Sequence, residues 1–145
     1  FVGDGASKAR IQEKAAGCPR VRFMPFRPAD EVPYVLAAGD IHVVTVRHGF
    51  EGLVVPSKLY PILAAGKPVA AVAPETCDAA RIVERTGCGV VVDPDDPGAL
   101  AQAVQQLAGD PVRLKGMGQA ARKVAAEYDR KSELERFVDY VETVA

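Results

Sequence analysis

Short apolar runs rich in β-branched residues alternate along the chain with stretches whose apolar residues recur every three or four positions. The first run, Phe1-Val2, reads as a strand stub, and Gly3 and Gly5 supply the turn after it. A helix is predicted over residues 7–16, stopping at Gly17, and a strand over 21–23. Asp30 stands where it can cap a helix that runs to residue 38, with Glu31 in its first turn and Gly39 as its stop. Residues 41–46 make the longest predicted strand. A short helix over 59–65 ends at Gly66 with Pro68 just beyond. Strands at 69–73 and 89–92 flank a helix at 78–85. Asp96-Pro97 and Asp110-Pro111 each open a helix, a capping carboxylate preceding a proline whose missing donor costs nothing there. Leu100, Val104 and Leu107 line the first of these, and Leu114, Met117, Ala121 and Val124 the second. A last helix carries Leu134, Phe137, Val138 and Val141.

Strands joined by helices through short connections require parallel pairing with right-handed crossovers. The predicted strands are apolar nearly throughout, as they are when both faces of a sheet are covered. The pattern therefore predicts an α/β fold, a Rossmann-like doubly wound parallel sheet with C-terminal helices. Ligands of such sheets sit beyond the carboxyl ends of the strands, which directs attention to residues 3–5, 24–26, 47–58 and 73–78.

Composition adds limits. The 145 residues are 48% hydrophobic, with net charge −1 and pI near 6.2, which argues against a nucleic-acid partner. Cys18, Cys77 and Cys88 form no metal-binding spacing and read as reduced thiols of a cytoplasmic protein. No apolar run approaches the length of about 20 residues that spans a bilayer. The opening FVGDG, an apolar pair running straight into glycines without an initiator Met, reads as a strand cut from something longer.

Two segments carry candidate chemistry. Gly3-Asp4-Gly5 could bring backbone close to a phosphate, but Lys8 stands where a dinucleotide fingerprint has its third glycine, so a plain tight turn is the stronger reading. The loop RHGFEGLVVPSK, residues 47–58, follows the longest strand and ends at a helix start. There the hydroxyl of Ser57, the ammonium of Lys58 and the amides of Lys58 and Leu59 offer what a diphosphate needs. A capping Ser57 and a solvated Lys58 are the plain alternative. His48 is a base, a hydroxyl partner or a surface residue, and His42, inside a strand, is a packing residue. Neither shows a Cys or Asp partner at ligand spacing, so no metal site is expected. Asp93, Asp95 and Asp96 read as a turn and a helix cap.

The GDG turn, the Gly-Phe-Glu-Gly loop, PSKLY…LAAGKPV, GCGVVVDPDDPGALAQAV and the closing MGQAAR occur in one order over essentially the whole chain. Together they resemble the C-terminal half of bacterial GT-B glycosyltransferases of family four, in the capsule, colanic-acid and lipopolysaccharide branch. The resemblance implies that residues 1–145 are one nucleotide-sugar-binding domain, lacking the family's first strand–helix unit. It also implies a UDP- or GDP-linked sugar donor, a separate N-terminal acceptor domain, retention of configuration, and no cofactor. Lys58 and Glu51 would be catalytic. Ser57 and Leu59 belong to the phosphate-binding turn, Gly52 to the loop facing the donor sugar, Met24 and Pro25 to the loop against the nucleobase, and Gly3 and Gly5 to the glycine turn of the donor cleft. The implied location is cytoplasmic, with peripheral association at the inner face of the membrane left open through the missing half.

Two departures accompany the resemblance. Counting back from Gly66, the family's ribose-binding glutamate falls at Pro61 and its partner glutamate at Leu53. A degenerate, non-catalytic binding or assembly module of the same fold is therefore the alternative reading. Proline is tolerated in a first helical turn, so the helix is expected to start after Ser57.

Overall fold

The computed structural model describes residues 1–144 and forms two compact units, Phe1–Val35 and a second that begins at Leu36. In the first, Val2 and Met24 form an isolated parallel bridge, with the Met24 amide donating to the Phe1 carbonyl at 2.8 Å and the Gly3 amide to the Met24 carbonyl at 3.1 Å. The rings of Phe1 and Phe23 stack beside it, their centroids 5.2 Å apart. The pairing thus falls on Met24, and the strand expected at 21–23 does not form. Helix α1, Lys8–Lys14, is shorter than predicted.

Asp30 does not cap a helix. It lies inside a 3-10 turn, Ala29–Glu31, and α2, Val32–Ala38, follows. The reason is Pro33, which lacks the amide needed to continue a ladder from Ala29, so the α-helix starts with this proline in its first turn.

The second unit is built on three parallel strands in the order β1 (His42–Thr45), β2 (Val69–Val72) and β3 (Gly89–Val92). His42 pairs with Val69, and Val69 with Gly89. Consecutive residues of β2 are completely buried, so both faces of the central strand are covered. Gly89 is required by this pairing, because a Cβ there would lie 1.9 Å from the Val69 carbonyl oxygen.

The α-helices that follow β1 among the described residues are α3 (Leu59–Ala64), α4 (Asp78–Thr86), α5 (Pro97–Ala108), α6 (Pro111–Ala125) and α7 (Arg130–Val144). The two Asp-Pro starts behave as predicted: Asp96 Oδ1 accepts from the Ala99 amide at 2.8 Å and Asp110 Oδ1 from the Arg113 amide at 2.9 Å. α4 ends at Gly87, whose φ of 65° is the left-handed conformation that stops a helix without a Cβ penalty. Leu59 and Leu63 of α3, Val83 of α4, Leu107 of α5 and the thiols Cys77 and Cys88 fill the core against β2. α7 buries none of its residues. Among the described residues, no helix is long and apolar enough to cross a membrane.

Candidate functional site at the carboxyl ends of the strands

Parallel pairing brings the loops that leave β1, β2 and β3 to one edge of the sheet. The first of them is shaped by Gly49 and Gly52, with φ of 82° and 75°. Between them the Phe50 amide donates to the Arg47 carbonyl, and the Leu53 and Val54 amides turn back to the Phe50 carbonyl. This winding leaves Phe50, Leu53, Val54 and Val55 exposed and turns Glu51 inward, half-buried. Glu51 and His48 then line a cavity of about 480 Å³ with Glu75 and Thr76 after β2, Asp93 after β3, and Glu84 of α4.

Hydrogen-bond acceptors dominate this cavity. Four carboxylates, those of Glu51, Glu75, Glu84 and Asp93, face it, with His48 among them. His48 Nε2 lies 3.4 Å from Asp93 Oδ1 and 3.7 Å from Asp95 Oδ2, and its Nδ1 lies 3.7 Å from Glu51 Oε1. No partner for His48 was expected from sequence; the fold supplies three, two of them from across the sheet. The His48, Asp93 and Asp95 ligand atoms lie within 4.8 Å of one another. The Asp93 carboxyl is held below its ordinary value, first by the Asp95 amide, which donates to Oδ1 at 2.8 Å, and further by His48. That same bond is the turn expected for the Asp-rich segment, and Asp96 is its helix cap. Acceptors in this number suit sugar hydroxyls or a cation, and repel phosphate.

The cationic end of the same loop is elsewhere. Ser57 and Lys58 are exposed at the entry to α3, and neither makes a side-chain cap. Lys58 has no ion-pair partner among the described residues. The Leu59 amide, expected to face an anion, donates to the Pro56 carbonyl at 2.9 Å, and the Leu59 side chain is core. This leaves the Lys58 ammonium, the Ser57 hydroxyl and the Lys58 amide as the turn's offering. Pro61 is the third residue of α3, where it forfeits no ladder bond, so the helix starts after Ser57 as the proline requires. From the position before Pro61, Tyr60 packs against Tyr128, their rings 5.2 Å apart, and Arg85 holds Glu127 at 3.0 Å beside it. Burial, and then Tyr128, push the Tyr60 hydroxyl above its usual pKa.

The remaining candidates lie in the first unit. Gly3, with φ of 107°, and Met24 meet through the backbone bridge described above, Gly5 lies at the start of the α1 segment, and Pro25 follows Met24. Gly5 does not take a positive φ, so the turn requires glycine at position 3 and not for that reason at 5. His42 is structural, as expected: its Nε2–H donates to the Leu36 carbonyl at 2.8 Å. Glu75, Thr76 and Glu84 were not singled out from sequence, although the loop after β2 was marked for inspection. Glu84 carries no local signal, since it reads as one more polar residue of an amphipathic helix.

Comparison with known proteins gives this geometry a context. Residues 1–110 match the family model described as glycosyl transferases group 1. The chain is 36% identical over 140 residues to a probable glycosyltransferase, WbjE, of Pseudomonas aeruginosa, covering 94% of this chain and 34% of that protein. It is 30% identical over 143 residues to a putative colanic acid biosynthesis glycosyl transferase, WcaI, of Escherichia coli K12, covering 96% of this chain and 34% of the relative. The chain thus spans about a third of the length of the curated relatives it matches. The crystal structure of WaaG, a glycosyltransferase involved in lipopolysaccharide biosynthesis, superposes with a TM-score of 0.70 at 21% identity over 96% of this chain and 36% of its own. Sucrose-phosphate synthase of Thermosynechococcus elongatus does so with a TM-score of 0.74 at 17% identity, over 96% of this chain and 34% of its own. These two establish the fold, the α/β Rossmann-like architecture expected from the strand and helix pattern.

Proposed function

This chain belongs to the group 1 glycosyl transferases, and from that premise we propose that it is the donor-binding domain of a retaining glycosyltransferase. The donor is a UDP- or GDP-linked hexose or amino-hexose, and the acceptor is lipid-linked or a growing polysaccharide. The acceptor is held by a separate domain of the same enzyme. In the reaction the bond between the anomeric carbon and the diphosphate oxygen breaks, and its electron pair leaves with the diphosphate. An acceptor hydroxyl takes the anomeric position on the face the diphosphate left, and its proton passes to the departing diphosphate oxygen.

One observation carries the reading: a single loop lowers Glu51 among carboxylates at the strand ends and continues into Lys58 at the α3 entry, which has no ion-pair partner among the described residues. A nucleotide sugar has the matching polarity, hydroxyls at one end and anionic oxygens beside them. We assign the sugar hydroxyls to Glu51 and the backbone at Gly52, and the departing diphosphate to Lys58 and Ser57. The Lys58 ammonium stabilises charge that grows as the bond breaks, which lowers the barrier. Family motifs alone assign Met24 and Pro25 to the nucleobase and Gly3 and Gly5 to the glycine turn near the donor.

Titration calorimetry with UDP and GDP tests this. Millimolar or tighter binding is expected, weakened about tenfold or more in Lys58→Ala, the loss of one charge-assisted contact. Binding unchanged by that substitution rejects the assignment. A degenerate binding module is the second reading, favoured by exposed Leu53 and Pro61 where the family carries glutamates. Absence of binding to both nucleotides at millimolar concentration selects it.

A further inference from the structure

The net charge of −1 conceals a cluster of a single sign. α6 carries Arg113, Lys115, Arg122 and Lys123 and no carboxylate. Lys115, Gln119 and Arg122 are spaced four and three apart and share a face. That face lines a groove of about 350 Å³ whose opposite wall is the turn from α3 into β2, with Lys67 and Pro68. Two glycines let the walls meet. A Cβ on Gly118 would lie 2.6 Å from the Gly66 carbonyl oxygen, and one on Gly66 would lie 2.9 Å from Arg122 Nε. Arg122 also reaches the Ala65 carbonyl at 3.5 Å, where a cation is favoured by the carbonyls of a helix end.

Lys67, Lys115 and Arg122 make no ion pair among the described residues, and Asp40, which also lines the groove, is paired with none of them. Three cations gathered on one concave surface raise the local potential, and an anion bound between them is stabilised by all three. Their place also separates them from the strand-end cavity: Lys67 and Pro68 immediately precede β2, whereas that cavity follows the ends of the strands. We propose that this groove is a second anion site, taking a phosphate group presented by an anionic lipid headgroup or by a soluble phosphate. It does not depend on the donor assignment made above.

The test measures binding of the chain to phosphatidylglycerol–phosphatidylcholine vesicles, to phosphatidylcholine vesicles and to inorganic pyrophosphate. The chain is expected to bind at least one of the two phosphate-bearing anionic probes and to weaken with salt, as screening requires. K67Q/K115Q is expected to lower affinity about 25-fold, about fivefold for each cation near an anionic surface. Arg122 is left intact because it also holds the end of α3. K131Q/R136Q removes the same charge from exposed α7 and is expected to stay within about twofold of the parent. Vesicle binding alone assigns a lipid headgroup, pyrophosphate binding alone a soluble phosphate, and binding of both a phosphate whatever its carrier. The proposal is overturned by no binding to either anionic probe, by vesicle binding without phosphatidylglycerol, or by equal loss, or no loss, in the two double variants.

Discussion

His48 Nε2 lies 3.4 Å from Asp93 Oδ1, joining the loop after β1 to the end of β3 across 45 positions of sequence. Asp93 also accepts the Asp95 amide, and that bond is the larger cause of its lowered pKa. The folded state therefore favours the ionised carboxylate. Its contribution is present above the ordinary aspartate value, near 4, and is lost as pH falls through the lowered one. Carboxyl-carbon NMR titration is expected to find Asp93 titrating below the ordinary aspartate value. In His48→Ala the Asp93 midpoint should rise while staying below that value, because the amide bond remains. A midpoint that returns fully to the ordinary value would assign the shift to His48 instead.

The three thiols should separate cleanly. Cys18 is exposed, whereas Cys77 and Cys88 are buried and burial pushes the Cys88 thiol up, away from the reactive thiolate. A chromogenic disulfide reagent at about pH 8 is expected to modify one thiol quickly in the folded chain and the other two only after denaturation. Simultaneous reaction of all three would mean that the core around β2 opens readily.

Leu63 is completely buried beneath β2, and replacing it with alanine is expected to cost about 2–5 kcal/mol in urea unfolding. Gly89→Ala should cost at least as much. Its Cβ would meet backbone rather than a movable side chain, so β2 and β3 would have to part. A near-neutral Gly89→Ala would contradict the pairing of Val69 with Gly89.

Most elements were legible because local chemistry alone decides them. The Asp-Pro starts of α5 and α6 and the glycine stop of α4 announce themselves over a few residues. The segment from 21 to 38 was misread because Pro33 moves the helix start and because a two-residue bridge leaves almost no periodic signal. Glu51 and the PSK turn could be put forward as candidates from sequence, since they lie in one loop. The His48–Asp93 contact could not, because it is created by parallel pairing of strands far apart in sequence. The Leu59 amide was misassigned for a simpler reason: the Pro56 carbonyl takes it in a turn that no side-chain pattern reveals.

The proposed function stands on where the diphosphate sits. A crystal structure of the chain with UDP or GDP bound measures it directly. The diphosphate oxygens are expected within hydrogen-bond reach of Lys58 Nζ and Ser57 Oγ, outside the carboxylate-lined cavity. Phosphates found among Glu51, Glu75 and Asp93, or at a place remote from the entry to α3, would contradict it.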